Sequence, residues 1–119
     1  METHQKIADV ITGAWENKDP ELLRSYLAQR IYWREDTYSK PLRNPNNVIE
    51  QWQKDLATQS DIKIKIEVLA AGKHDIFYHC TGIWKDQKKG KRELDGIFQV
   101  RLNPDSKISY FNQWWTAKE

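Results

Sequence analysis

The stretch Ile62-Lys63-Ile64-Lys65-Ile66-Glu67-Val68 alternates branched aliphatic side chains with charged ones at every step. Successive side chains of a β-strand point to opposite faces of the sheet, so this period of two predicts a strand with one dry face and one wet face. The chain is therefore expected to bury one face of a sheet against a second layer of structure.

Three more runs with strand character follow this stretch. They are Ile76–Trp84, Glu93–Leu102 and Ile108–Trp115, and short turn-forming segments separate them. Because short connections cannot carry the chain back to the same end of a sheet, neighbouring strands are expected to be antiparallel.

The first half of the chain is predicted to contain three helices and one short strand. Apolar residues recur three and four positions apart in Thr3–Trp15 and Asn46–Ala57, and a shorter helix is expected over Pro20–Leu27. The segment Ile31–Glu35 is rich in β-forming residues and predicts the additional strand. Helices followed by antiparallel strands indicate an α+β fold in which the helices cover one face of the sheet.

Length and composition are typical of one folded domain over residues 1–119. Hydrophobic residues make up 39% of the chain and charged residues 30%. No apolar stretch approaches the roughly 20 residues that span a bilayer, and the amino terminus lacks the apolar stretch of a signal peptide. We therefore expect no membrane partner and a cytoplasmic location, and the lone Cys80 agrees with a reducing compartment.

Metal and nucleic-acid binding are not indicated by the sequence. His4, His74 and His79 do not stand at His-x-His or His-x-x-x-His spacing, and one cysteine cannot form a thiolate zinc site. A formal net charge of +2 is too small to provide a field for polyanions. We expect no metal, no cofactor and no nucleic-acid partner.

The aromatic content is the unusual feature of the composition, with six tryptophans, five tyrosines and three phenylalanines. Aromatic side chains bury large areas, and the polar atom of Trp or Tyr needs a partner when it is buried. This composition suits a lined cavity or a broad protein interface.

Two segments resemble the SnoaL-like branch of the nuclear transport factor 2-like superfamily. In Trp33–Arg43, a strand ending in a carboxylate leads through a Pro-containing loop to the helix bearing Val48 and Ile49, as in SnoaL-like proteins. Leu94–Leu102 and the closing Asn112–Trp115 are similar to the last hairpin of the superfamily. The resemblance implies a cone-shaped, curved antiparallel sheet packed on N-terminal helices, the cystatin-like or nuclear transport factor 2-like fold.

The resemblance also implies an acid-base site, with Asp36 as its leading candidate. Asp36 falls where ketosteroid isomerase carries its aspartate base, but the oxyanion donors of that enzyme fall at Ile11 and Phe98, which cannot donate. SnoaL-type cyclases use an acidic residue near the open end of the cone, for which both Asp36 and Glu35 are candidates.

Limonene epoxide hydrolase suggests a second arrangement, in which two aspartates and an arginine between them activate water and protonate the epoxide. Arg34 beside Asp36 resembles part of this arrangement. The second carboxylate would then be Asp95 or Glu93.

The implied cavity would accept a small, largely apolar molecule. Its walls are expected to come from the large side chains of the inner face: Tyr32, Trp52, Tyr78, Trp84, Phe98, Phe111, Gln113 and Trp115. Because neighbours on a strand face opposite ways, inward Tyr78, Cys80 and Trp84 imply outward Phe77, His79 and Thr81. Trp114 and Trp115 likewise cannot both line one pocket.

Two functional classes remain open. The chain is either an acid-base enzyme of the isomerase, cyclase or hydrolase type, or a non-enzymatic dimeric binding or assembly module. In the second class Asp36 is a loop carboxylate that accepts from backbone N–H groups or pairs with Arg34. The outer sheet face carries enough apolar residues to predict a homodimer in either class.

Overall fold

The structure is a computed structural model that describes residues 2–118, apart from the side chain of Glu2. Helices and strands follow one another in the predicted order, which confirms the α+β class. The elements are α1 (Glu2–Glu16), a 3-10 helix (Pro20–Tyr26), β1 (Leu27–Arg34), α2 (Pro45–Leu56), β2 (Gln59–Ala71), β3 (Asp75–Asp86), β4 (Gly90–Leu102) and β5 (Ile108–Lys118). None of the described helices is both long and apolar enough to cross a membrane.

The sheet is open and mixed, with the strand order β1-β5-β4-β3-β2. Pairs β2–β3, β3–β4 and β4–β5 are antiparallel, as predicted from their short connections. The expectation of a wholly antiparallel sheet is wrong at one edge, since β1 pairs with β5 in parallel. A parallel pair requires a long connection. Here α2 and β2 to β4 form that connection between β1 and β5.

Strand β1 begins four residues before the predicted start at Ile31, at Leu27. The predicted second helix is a 3-10 helix that ends at Tyr26, and Leu27 already has an extended backbone with φ −96° and ψ 135°. The chain therefore passes from helix to strand without a loop.

The aromatic side chains form a nearly continuous row through the core. Trp33 stacks on Phe111 with ring centroids 3.9 Å apart and planes 9° apart. The row continues across the sheet to Phe98 and Tyr78, and through Trp52 and Trp15 of the helices to Trp84 of β3. Much of the unusual aromatic content is thus core packing between the sheet and its helices.

Gly96 allows β5 to lie unusually close to β4. A Cβ atom at this position would stand 2.6 Å from the carbonyl oxygen of Trp114 and 2.8 Å from Cβ of Trp115. Only glycine avoids this clash, so Gly96 sets the position of the strand segment that brings Trp115 to the site described next.

Candidate functional site

A cleft of about 550 Å³ opens at one end of the inner sheet face. Its walls come from the end of α1, the end of β1, the second half of α2 and the other four strands of the sheet. The lining side chains include Trp15, Glu35, Asp55, Trp84, Gln113 and Trp115. Basic side chains, among them Lys54 and Arg92, also line it.

Glu35 is the mostly buried carboxyl group of this cleft. It directly follows β1 and points to the inner face, as Ile31 and Trp33 do four and two residues earlier. Its Oε2 accepts a hydrogen bond of 2.6 Å from Nε1 of Trp33 and another from Nε1 of Trp52. Its Oε1 makes no hydrogen bond to any residue within the described range 2–118.

A third indole fixes the backbone of Glu35. Nε1 of Trp115 donates to its carbonyl oxygen over 2.6 Å. Three tryptophans from β1, α2 and β5 therefore hold one residue in place, and the buried indole N–H groups of Trp33 and Trp52 obtain the partners they need.

The environment of Glu35 raises its pKa from the usual 4.5 to about 7. Burial is the largest cause, because desolvation penalises the ionised form, and the negative charge of Asp55 acts in the same direction. The two indole hydrogen bonds lower the pKa and offset part of this effect. Near neutral pH both protonation states of Glu35 are thus populated.

Behind Glu35 the cleft ends in a smaller chamber of about 70 Å³. Trp15, Trp52 and Leu56 provide its apolar walls, while the polar groups are Glu35, Asp55, Gln59 and Gln113. Oε1 of Gln59 accepts from Nε1 of Trp15 over 3.1 Å, which fixes the orientation of this amide.

The predicted catalytic residues Asp36 and Arg34 do not meet at the floor of the cleft. Asp36 lines the rim, is exposed, and accepts at Oδ1 from the backbone N–H of Tyr38 over 3.1 Å. Arg34 donates to Oδ1 of Asn112 over 2.9 Å, in register with the outer face. The alternation of β1 is the reason, because Ile31 and Trp33 occupy the inward positions.

The predicted wall residues divide into two groups. Trp84, Gln113 and Trp115 line the cleft, and Trp52 lines the chamber. Tyr78, Phe98 and Phe111 are fully buried in the core, where the hydroxyl of Tyr78 donates to the carbonyl oxygen of His4 over 2.8 Å. Tyr32 stacks on Tyr110 with centroids 5.0 Å apart, and neither ring lines the cleft.

Several of the other orientation predictions are confirmed. Tyr78, Cys80 and Trp84 are buried on the inner face, and burial raises the pKa of Cys80 to about 12, so that it remains a thiol. His79 lies on the outer face, where its Nε2 is 2.8 Å from Oδ1 of Asp95. That contact occupies one of the two carboxylates proposed as a partner for Asp36.

Sequence reasoning did not find Asp55 as the second carboxyl group of the site, nor Trp33 and Trp15 as its walls. A signal for Glu35 was present, because it extends the inward series Ile31 and Trp33 by one step. Among residues 2–118 no cluster of three or more His, Cys, Asp or Glu side chains could hold a metal ion.

Comparison with known proteins gives a fold match without a close sequence relative. No family model and no curated protein matches the sequence. A Mycobacterium tuberculosis protein solved with estradiol-17beta-hemisuccinate is 11% identical, with a TM-score of 0.81 over 98% of this chain and 98% of the other. An LEH-like epoxide hydrolase from Mycobacterium tuberculosis is 10% identical, with a TM-score of 0.77 over 97% and 84% of the two chains.

A nuclear transport factor 2-like protein of unknown function from Exiguobacterium sp. 255-15 is 17% identical, with a TM-score of 0.77 over 96% of this chain and 98% of that one. These likenesses show that the chain has the nuclear transport factor 2-like fold. The resemblance inferred from the sequence is thereby confirmed at the level of fold.

Proposed function

We propose that the chain binds a small, largely apolar molecule in the tryptophan-walled cleft and exchanges a proton with it through Glu35. The observation that carries this proposal is one mostly buried carboxyl group that opens onto the cleft, held by two indoles at Oε2 and by a third at its backbone carbonyl oxygen. A general acid or base works best when its pKa lies near the working pH, and the pKa of Glu35 is about 7.

The arrangement of the two carboxyl oxygens supports this role. Oε2 is held by two N–H donors, so the carboxyl cannot rotate freely, and Oε1 has no partner in the described part of the chain. A proton can therefore be taken up or released at Oε1 with the group held in one orientation, which is the positioning that efficient proton transfer needs.

Two structural neighbours are compatible with this class. One is an epoxide hydrolase, and the other was solved with a steroid derivative. Enolisation of the ketosteroid isomerase kind is not proposed, because Ile11 and Phe98 are apolar and buried where that enzyme has its oxyanion donors. Cyclase and hydrolase chemistry both remain compatible with a single proton-transfer group.

The Glu35→Gln variant tests the proposal, with Asp36→Asn as its matched control. The indole ¹H–¹⁵N signals of Trp33 and Trp52 should titrate with a midpoint near 7 in the wild type and in Asp36→Asn, and should be flat in Glu35→Gln. In a screen of small epoxides and ketones, Glu35→Gln should lose any turnover that is found. If Asp36→Asn loses the turnover instead, Asp36 and not Glu35 is the acid-base residue.

We also propose that a second copy of the chain covers the outer sheet face. Ile83, Ile97 and Trp114 are exposed there by 39%, 41% and 42%, and Ile97 is the cross-strand partner of Trp114. Exposed apolar side chains on neighbouring strands favour association. Sedimentation should give a dimer at micromolar concentration and a monomer for Ile97→Lys; a monomeric wild type would contradict this.

A further inference from the structure

The chamber behind Glu35 is lined by an amide, that of Gln113, without a hydrogen-bond partner among residues 2–118. Gln113 is only 7% exposed and lines both the cleft and the chamber, yet its side chain makes no hydrogen bond to the residues of the described range. The polar atoms of this amide are not among the fully buried side-chain atoms that lack a partner in the described part of the chain, so they open onto the cleft and the chamber. A molecule bound there can therefore reach the amide oxygen and the amide nitrogen and hydrogen-bond with both.

Only one of the two polar atoms of the neighbouring Gln59 amide has a hydrogen-bond partner among the described residues. An indole nitrogen can only donate, so Oε1 of Gln59 must be the atom facing Nε1 of Trp15. The Nε2 hydrogens of Gln59 then have no partner among the described residues, and they belong to a side chain that lines the chamber. Together the two amides offer donors and an acceptor in a space of about 70 Å³.

The charge of the chamber limits what can enter it. Glu35 and Asp55 line it, and no Lys or Arg is found among the described residues that do so. The basic residues Lys54 and Arg92 line the outer cleft only. An anionic group would thus meet two carboxyl groups and no compensating cation. An ammonium could pair with the carboxyl groups, but it has no acceptor and would leave the donors of both amides unused.

We infer that the chamber is the subsite for a neutral polar head group of the ligand, one that both donates and accepts hydrogen bonds, such as a carboxamide or hydroxyl. This inference rests on the proposed function, because it requires a molecule in the cleft. Since one water occupies about 30 Å³ of liquid, a chamber of this size suits a group of a few heavy atoms. The apolar body of the ligand then lies against Trp15, Trp84 and Trp115.

The test uses benzamide, benzoate and toluene as probes of one ring with three different ends. Each is titrated into the full chain at pH 8, and binding is measured from the indole ¹H–¹⁵N signals of Trp33 and Trp52. Benzamide is expected to bind at least ~10-fold more tightly than benzoate or toluene, the preference that one or two well-made neutral hydrogen bonds provide.

Gln113→Met keeps the size of the side chain and removes its amide, while Gln53→Met makes the same change on the exposed face of α2. The preference for benzamide should fall to within about threefold in Gln113→Met and remain in Gln53→Met, since only the first loses hydrogen bonds to the head group. Toluene binding should be unchanged in both variants, which shows that the cleft is intact.

The outcomes separate the two proposals. Binding of all three probes without a preference for benzamide, tighter binding of benzoate, or a preference that survives Gln113→Met would overturn the subsite and leave the cleft proposal standing. If no probe shifts the indole signals, the cleft proposal fails and the subsite fails with it.

Discussion

Oε2 of Glu35 lies 2.6 Å from Nε1 of Trp33, a residue two positions earlier on the same face of the same chain segment. The strand that buries Trp33 in the core therefore also delivers the carboxyl group to the cleft, with its hydrogen-bond donor already in place. Because Trp33 stacks on Phe111 at 3.9 Å, the donor cannot move without disturbing the core.

The first prediction concerns stability and pH. Glu35 has a pKa of about 7 in the folded chain against 4.5 when solvated, so the folded chain holds more protons over this range. The free energy of unfolding should fall as pH rises from 4.5 to 7, and the contribution of this group should reach about 3 kcal/mol.

Urea unfolding of the wild type and Glu35→Gln at pH 5, 6, 7 and 8 isolates this contribution, because other titrating groups are common to both. The variant should gain stability relative to the wild type as pH rises, and the difference should level off above pH 7. Parallel pH profiles would show that Glu35 keeps an ordinary pKa.

Trp33→Phe should remove the indole donor and retain an aromatic ring against Phe111. We expect a loss of about 3 kcal/mol in the free energy of unfolding, from one hydrogen bond to a carboxyl group and from the reduced volume. The pKa of Glu35 should rise further, since the bond from Trp33 lowers it. Tyr38→Phe, at a side chain that is 96% exposed, is the control and should change stability by less than about 0.5 kcal/mol.

Asp55→Asn should lower the pKa of Glu35, because the charge of Asp55 raises it. The carboxyl ¹³C shift of Glu35, followed from pH 4 to 9, measures this directly. An exposed carboxylate at the rim is the comparison, and Asp36→Asn is expected to leave the midpoint nearly unchanged. A larger effect of Asp36→Asn would mean that the rim carboxylate, and not Asp55, governs the site.

Gln113→Met should change the free energy of unfolding by less than about 0.5 kcal/mol in the absence of ligand, since the amide makes no hydrogen bond to the described residues and its polar atoms open onto the cleft. Thermal unfolding checks this against Gln53→Met, which is exposed and should be neutral. A destabilised Gln113→Met would indicate that the amide serves the fold.

Much of the fold could be predicted from local patterns. The alternation in Ile62–Val68 and the helical spacing in Asn46–Ala57 depend on nearby residues only, and both elements are present. The parallel pairing of β1 with β5 could not be predicted in this way, because it depends on how distant segments meet.

The site was predictable only in part. Trp84, Gln113 and Trp115 were placed on its walls by alternation within their strands. The resemblance favoured Asp36 as the inward carboxylate, whereas the burial of Ile31 and Trp33 shows that the inner face of β1 continues to Glu35. Asp55 lies on a helix remote in sequence from the strands, so only the packing of α2 brings it to the chamber.

The edge position of β1 has a consequence for the order of folding. Its sheet neighbour is β5, the last strand of the chain, and Trp33 pairs with Phe111 across 78 positions of sequence. Loops of this length close slowly, so contacts within the β2 to β4 meander can form well before this one. During synthesis on the ribosome, the segment carrying Glu35 gains its sheet partner only when the final strand emerges. The cleft is therefore completed last, and a nascent chain that lacks β5 lacks the cleft walls formed by Gln113 and Trp115.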